Sequence, residues 1–335
     1  MGLLSLARYK KYYHVPFGCC DFFDIIKKME TVAVLFNPSS GRGKSLRRLE
    51  KVENYFKKNT IHYRLFITKS EEHLRQLARK AANEFQIIVG VGGDTTMNLI
   101  ATEMLHLKSD SILGMIATGS ANDIIQGIGC HDMESQVRAV KTGRFKKVDV
   151  GQIEIEGLSS PVTFLGSMSL GLGVTVNRYV KEIFTHHSMW RNYGLTSQII
   201  TGIFSIGKSF ARKDVPCRVM LKTSKFQSQV NFSLIVFANV PCYASGLKLT
   251  PNASPFNGKL ECCVINSIST IHSIVICTQV NMGRHPRRDE VKIFTDTNFE
   301  VIPEEKIDIQ YDGKVIEGVR KFKVSILPAA LNVFV

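Results

Sequence analysis

Three glycine-rich turns, each placed where a short apolar run stops and a helical pattern begins, constrain this chain more than any other feature. They are Asn37-Pro38-Ser39-Ser40-Gly41, Gly92-Gly93-Asp94-Thr95-Thr96 and Thr118-Gly119-Ser120-Ala121-Asn122-Asp123. The runs before them, Thr31–Asn37, Ile87–Val91 and Ile112–Ile116, are apolar almost throughout, as strands buried on both faces must be. Between them the spacing predicts a helix over Leu46–Lys58, a strand over Tyr63–Thr68, and helices over Glu71–Asn83 and Thr96–Leu105. Leu46, Leu49, Val52 and Phe56 form the apolar stripe of the first helix, and Leu74, Leu77, Ala78 and Ala81 that of the second. Regular strand–helix alternation requires an open α/β sheet with helices on both faces.

The pattern changes near Val148. Strands then dominate: Val150–Ile155, Val162–Ser169, Cys217–Lys222, Gln229–Ala238, Leu260–Asn266, Glu290–Thr295, Lys306–Tyr311 and Lys321–Leu327, with turn signals at Asn257-Gly258 and Asp312-Gly313. The expected fold is a three-layer α/β nucleotide-binding domain followed by a β-sandwich. The expected boundaries are an N-terminal extension over 1–28, the α/β domain over 29–145 and the sandwich over 146–335. The last segment is a candidate to return to the first domain. A helical stripe over Tyr193–Phe210 interrupts the strands and suits either packing on the sandwich or contact with an acyl chain.

Composition narrows the partners. With 335 residues, 44% hydrophobic and 21% charged, the chain is long enough for a continuous core and too apolar to be disordered. No apolar run reaches the roughly 18 residues of a membrane-spanning helix. Lys and Arg outnumber Asp and Glu by 43 to 29, a formal charge of +14, which favours anionic partners such as nucleotide phosphates or anionic lipid surfaces. No aromatic–basic platform or known module points to nucleic acid. The eight cysteines include no CxxC pair and read as reduced, mostly buried thiols of a cytoplasmic protein. The first 28 residues lack the apolar core of a signal peptide, and Leu6 breaks the myristoylation pattern. A short helical or frayed extension is expected there, in preference to an anchor through Cys19 and Cys20. His186-His187 beside Trp190 reads as loop surface rather than a metal site. The basic run Gly283–Arg288 reads equally as solvated charge or as a contact for anionic lipid.

The chemistry lies in the turns. Glycine lets main-chain amides approach phosphate oxygens, and a helix starting immediately after adds its positive end. Open α/β sheets bind ligands at this edge. Hydroxyls of Ser40, Thr96 and Ser120 are candidate donors to the same oxygens, and Asp94 and Asp123 are candidates to orient donors or hold Mg²⁺ through water. Neither familiar phosphate motif is satisfied: Pro38 stands where a P-loop needs glycine, and Thr95 where a Rossmann fingerprint needs Gly or Ala.

In order and spacing, the NPSSG turn, GGDTT, GSAND, Val148-Asp149-Val150-Gly151, the segment FANVPCYASGLKLTPNAS, FNGKL, YDGK and the terminal ILPAAL resemble the diacylglycerol kinase catalytic-domain family over residues 31–332. That family includes YegS-like lipid kinases and the sphingosine and ceramide kinases. The resemblance implies ATP and Mg²⁺ in a cleft between the two domains and phosphoryl transfer to a hydroxyl of a diacylglycerol-like or sphingoid lipid. It further implies a cytoplasmic protein meeting its lipid at a membrane surface through basic residues. On it, Asn37, Pro38, Ser39, Ser40, Gly41, Thr68, Gly92, Gly93, Asp94, Thr95, Thr96, Met97, Asn98 and Ser120 are similar to nucleotide contacts. Asp94, Asp123, Asp149 and the turn at Asn257 correspond to metal positions. NAD kinase shares the GGDGT-type turn, but the long sandwich region ending in ILPAAL argues against it.

Four departures stand out. Thr95 replaces the last glycine of GGDGT, and a positive φ there would be costly for a β-branched residue. Ala117 and Ala121 replace a proline and a glycine around the third turn. Asn257 replaces an acid. Lys314 stands where the family's DGE motif carries the glutamate taken as general base, and a lysine is charged at neutral pH and cannot accept a proton. Glu317 or Asp94 are the candidates to replace it, with Lys314, Glu317 and Asp94 forming the expected catalytic set. A protein that binds nucleotide or lipid without transfer is the alternative.

Overall fold

The structure is a computed structural model that describes residues 31–40, 45–119, 121–129, 133–186, 207, 217–244, 246–266, 276, 279–280 and 285–335. The expectations for residues 1–28, Gly41, Ser120, His187, Trp190, Gly283 and Arg284 lie outside the described residues, as does the Tyr193–Phe210 stripe apart from Gly207.

In chain order the α/β part comprises β1 (Thr31–Phe36), α1 (Ser45–Lys58), β2 (His62–Ile67), α2 (Glu71–Glu84), β3 (Ile87–Gly92), α3 (Asp94–His106), β4 (Ile112–Ala117), α4 (Asp123–Ile128) and α5 (Met133–Thr142). The strands pair in parallel in the order β2-β1-β3-β4. Alternate residues of each strand serve opposite faces, which is why the runs are continuously apolar. Ala33 and Leu35 join Leu74, Ala78, Met97, Ile100 and Met104 of α2 and α3 in one core. Val32, Val34 and Phe36 join Leu49, Val52, Phe56, Val137 and Val140 of α1 and α5 in the other. This is the three-layer arrangement the sequence implies.

The second part comprises β5 (Phe145–Ile155), β6 (Val162–Phe164), β7 (Ser167–Gly171), α6 (Leu172–His186), β8 (Cys217–Lys222), β9 (Gln227–Ala238), β10 (Leu260–Asn266), β11 (Val291–Asp296), β12 (Asn298–Pro303), β13 (Ile307–Tyr311), β14 (Lys314–Val319) and β15 (Phe322–Phe334). Its strands share a core that includes Ile153, Phe164, Met168, Val219, Phe232, Phe237, Phe299, Ile309 and Phe322. Strand β15 ties the two parts together. It runs antiparallel beside β5 from Phe322 to Phe334, and near its end Asn332 and Val333 pair in parallel with Ile112 and Leu113 of β4.

One expected strand is two. The run Val162–Ser169 breaks at Leu165-Gly166 because the amides of Leu165, Gly166 and Ser167 turn to the Asp312 carboxylate, at 2.7, 3.1 and 3.1 Å. Asp312 and Gly313 form the turn between β13 and β14, both with positive φ (40° and 85°), the pairing a two-residue hairpin of this sequence favours. A buried carboxylate thus pins a hairpin tip to the break between two other strands.

Candidate functional site

The first two turns and the third converge at the C-terminal ends of β1, β3 and β4. The sheet ladder continues past the strand ends, with Asn37 N donating to Val91 O (3.0 Å), Thr68 N to Phe36 O (2.9 Å) and Thr118 N to Gly92 O (2.8 Å). Side chains add a second tier. Asn37 Nδ2 donates to Thr96 Oγ1 at 2.9 Å, and the hydroxyls of Ser40 and Thr118 share a 2.5 Å hydrogen bond. Ser39 N donates to Asn37 Oδ1 (3.0 Å), closing the first turn on itself.

The glycines have a structural reason beyond ligand approach. A Cβ on Gly119 would lie 2.7 Å from the Gly93 Cα, so the second and third turns touch backbone to backbone. At Gly92 it would lie 2.5 Å from the Thr96 side chain, which packs over the turn. Helix α3 therefore starts at Asp94 with no side chain capping Gly93, which leaves its positive end to an anion.

Asp94 stands at that helix start and holds the next one. Its carboxylate accepts from the amides of Asp123 and Ile124, each at 3.2 Å, capping α4 from a distance. Burial, followed by the nearby carboxylates of Asp123 and Asp312, pushes the Asp94 carboxyl up to about 7. Asp123 Oδ1 in turn accepts from Gly246 N of the second domain (2.8 Å). The Asp94–Asp123 pair thus sits where both helix starts and a sandwich loop meet.

Thr95 corrects an expectation. It is the second residue of α3, is absent from the positive-φ residues, and carries no backbone strain. Its hydroxyl donates to Asp312 O at 3.2 Å, so the side chain turns to the β13–β14 turn instead of projecting as a strained plug. Met97 and Asn98 are buried. Met97 packs in the α/β core, and Asn98 Nδ2 donates to Asp312 Oδ2 and Thr163 O, both at 2.9 Å. Thr96 is buried with its hydroxyl accepting from Asn37. In this stretch the Thr95 and Asn98 side chains bind the two domains together, and main-chain amides are left as the groups suited to phosphate.

The remaining candidates stand apart. Asp149 is buried, with Gly258 N at 2.6 Å on one carboxylate oxygen and Ala329 N at 2.8 Å on the other. Asn257 Oδ1 accepts from Lys259 N (3.0 Å) and so closes its own turn. Glu317 is exposed and ion-paired with Arg178 (2.6 Å), which also holds Asp308 (2.7 Å). Lys314 is only 18% exposed and forms an ion pair with Glu71, 54% exposed, in the first turn of α2. The sandwich hairpin is therefore strapped to the α/β domain by an ion pair where the family pattern carries a glutamate.

Sequence reasoning missed Glu71 and Gly246. The Lys314–Glu71 contact spans 243 positions and no local pattern marks it. Gly246 lies in a quoted segment, but only the folded chain shows its amide against Asp123.

Among the described residues no three His, Cys, Asp or Glu side chains converge as a metal cluster. A closed protein cage for a metal is thus absent there. The donor set that exists, two neighbouring carboxylates of which Asp94 is raised first by burial and then by Asp123 and Asp312, suits Mg²⁺. That ion keeps several waters and takes one or two carboxylates together with phosphate oxygens.

Comparison with known proteins agrees with this geometry. Residues 31–153 match the diacylglycerol kinase catalytic domain, and residues 166–335 match the YegS C-terminal NAD kinase beta sandwich-like domain. The chain is 22% identical over 290 residues to a protein named "Diacylglycerol kinase" from Bacillus subtilis (strain 168), covering 85% of this chain and 90% of that one. It is 24% identical over 281 residues to "Probable lipid kinase YegS" from Escherichia coli O6:K15:H31, covering 82% and 85%. A crystal structure titled as a diacylglycerol kinase from Bacillus anthracis str. Sterne shares the fold with a TM-score of 0.67 at 16% identity, covering 92% of this chain and 97% of that one. A second structure from the same organism reaches 0.72 at 17% identity, covering 92% and 98%. A catalytic-domain match, a sandwich match over half the chain and a common fold lead to one conclusion: the chain belongs to the diacylglycerol kinase catalytic-domain family, with a YegS-type sandwich as its second domain.

Proposed function

We propose that this protein is an ATP-dependent lipid kinase that moves the γ-phosphate of ATP to a hydroxyl of a diacylglycerol-like or sphingoid lipid. The observation that carries the reading is the placement of the Asp94 carboxylate at the uncapped start of α3, bonded to the amides that open α4, where burial pushes its carboxyl up to about 7. A general base works best when its pKa lies near the operating pH. In the proposed step the lipid oxygen bonds to the γ-phosphorus as the bond to the β-phosphate oxygen breaks. The hydroxyl proton passes to Asp94, and ADP leaves. Main-chain amides of the Gly93 and Gly119 turns would hold phosphate oxygens, and Asn37 and Thr68 border the same edge. Asp123 and Asp94 would hold Mg²⁺, which would offset the charge of the phosphates. Phosphoryl transfer depends mainly on positioning and charge neutralisation, so a lysine at 314 does not by itself exclude turnover.

A second reading has its own support. Lys314, tied to Glu71, supplies no base from the sandwich side, which favours a protein that binds nucleotide and regulates without transfer. Thermal shift with ATP, with and without Mg²⁺, followed by labelled γ-phosphate transfer to a panel of diacylglycerols, ceramides and sphingoid bases, separates the two. A shift with transfer that Asp94→Asn abolishes supports the kinase. A shift without transfer supports the regulator, and no shift removes the nucleotide claim.

A further inference from the structure

We propose that the outer end of β5 and the adjoining loop form a docking surface for an anionic lipid bilayer, built from Arg144, Phe145, Lys146, Lys147, Phe256 and Lys259. The proposal rests on the lipid-kinase reading, which requires a lipid in a membrane. Its own support is independent of the cleft.

A strand covered on one face alternates buried and exposed residues, yet Phe145, Lys146 and Lys147 are all exposed. The reason is position. Along this stretch β5 pairs with β15 on one side, and β6 joins the other side only from Gly151 onward. Lysines on such an open edge keep it from pairing with another strand and leave it available to a different partner. Five large hydrophobic side chains are exposed among the described residues, and two of them belong to these two segments: Phe145 at 44% and Phe256 at 40%. Lys146 Nζ lies 5.1 Å from the Phe256 ring centroid and joins the two segments.

Several of the protein's surface cations are held by carboxylates. Arg75, Arg79, Arg178, Lys222, Lys314 and Lys321 are paired with carboxylates. Arg144, Lys146, Lys147 and Lys259 form no ion pair with any described carboxylate. Unpaired cations flanking exposed aromatic rings match an anionic bilayer, where rings settle at headgroup depth and lysines meet lipid phosphates. The cations lie on a strand edge and not along a groove lined by stacking platforms, which favours a flat lipid surface over a nucleic-acid strand.

The loop is also held firmly to the fold. The loop carrying Phe256 and Lys259 is clamped to Asp149, whose amide donates to Pro255 O (2.8 Å) and whose carboxylate accepts from Gly258 N (2.6 Å). Earlier in the same connection, Gly246 N donates to Asp123.

Co-sedimentation of the full-length protein, without nucleotide, with phosphatidylserine-rich and with pure phosphatidylcholine vesicles tests the surface. The expected result is salt-sensitive binding to the anionic vesicles alone. It should weaken roughly twentyfold or more in Lys146→Glu/Lys147→Glu and severalfold in Phe145→Ser/Phe256→Ser, with melting temperatures near wild type. Transfer to lipid in detergent micelles should be unchanged in both variants, because micelles present lipid without a charged bilayer. Wild-type vesicle binding that both variants retain would overturn the proposal. So would variants that lose binding to a duplex oligonucleotide but not to vesicles. Micelle transfer without vesicle binding would sink this surface and leave the kinase reading standing. Vesicle binding without micelle transfer would do the reverse.

Discussion

The α/β and sandwich sides of the candidate site are held together by different means. On the α/β wall the requirement is backbone geometry: two turns touching at Gly93 and Gly119, helix α3 starting uncapped, and Asp94 bonded to the amides that open α4. On the sandwich side, side chains at the β13–β14 tip make the contact, and there Lys314 pairs with Glu71. Between the walls, Asp312 serves both. Its carboxylate gathers three amides of the β6–β7 break and the Asn98 amide, and its carbonyl accepts from Thr95. Main-chain scaffolding tolerates few alternatives because a single Cβ would push the turns apart.

The comparison can be broken most decisively at Asp94. Asp94→Asn should lower phosphoryl transfer by about 10²–10⁴-fold, measured as kcat/KM, while the fold is retained. In the wild type kcat/KM should rise with pH through about 7 as this carboxyl loses its proton. Its stability effect has the opposite direction. A carboxyl raised in the folded state binds its proton more tightly there, so its contribution is full below about pH 4 and is lost as pH rises towards 7. Asp94→Asn should therefore gain on the wild type in melting temperature across that window.

Asp312→Ala tests the joint between the walls. It strips four donors of a buried acceptor, and urea unfolding should show a loss of roughly 3–5 kcal/mol. Gly119→Ala tests the backbone wall alone. Overpacking against Gly93 should cost about 1–3 kcal/mol and weaken nucleotide binding, whereas an alanine that binds normally would show that the turns need not touch. Glu71→Gln tests the opposing tip. Because Glu71 is half exposed, the pair should contribute no more than about 1 kcal/mol to stability.

Legibility in the sequence follows the same division. Strands β1 to β4 and the first three helices are readable because each buries continuous or helically spaced apolar residues, so local pattern and tertiary environment agree. Helices α4 to α6, strands β12 and β14, and the break between β6 and β7 are not. The break is imposed by Asp312, about 145 positions away in sequence, and nothing in Val162–Ser169 announces it. Asp94 was readable as a site residue from its glycine turn, but its capping of α4 was not. Thr95 was misread because glycine in the family pattern suggested a positive φ, whereas the first turn of a helix asks for an ordinary one. Lys314 was visible as a departure, but its partner Glu71 was legible only in three dimensions.

The central claim, that nucleotide phosphates and Mg²⁺ meet the protein at Asp94 between the glycine turns, has a direct test in calorimetry. Mg²⁺·ATP binding at pH 6.5 is measured in buffers of different ionisation enthalpy, on wild type and Asp94→Asn. A carboxyl pushed up to about 7 holds its proton in much of the population at that pH, so wild type should release a measurable fraction of a proton on binding, and the variant none. Binding with no proton released, or with equal release in both proteins, would contradict the account.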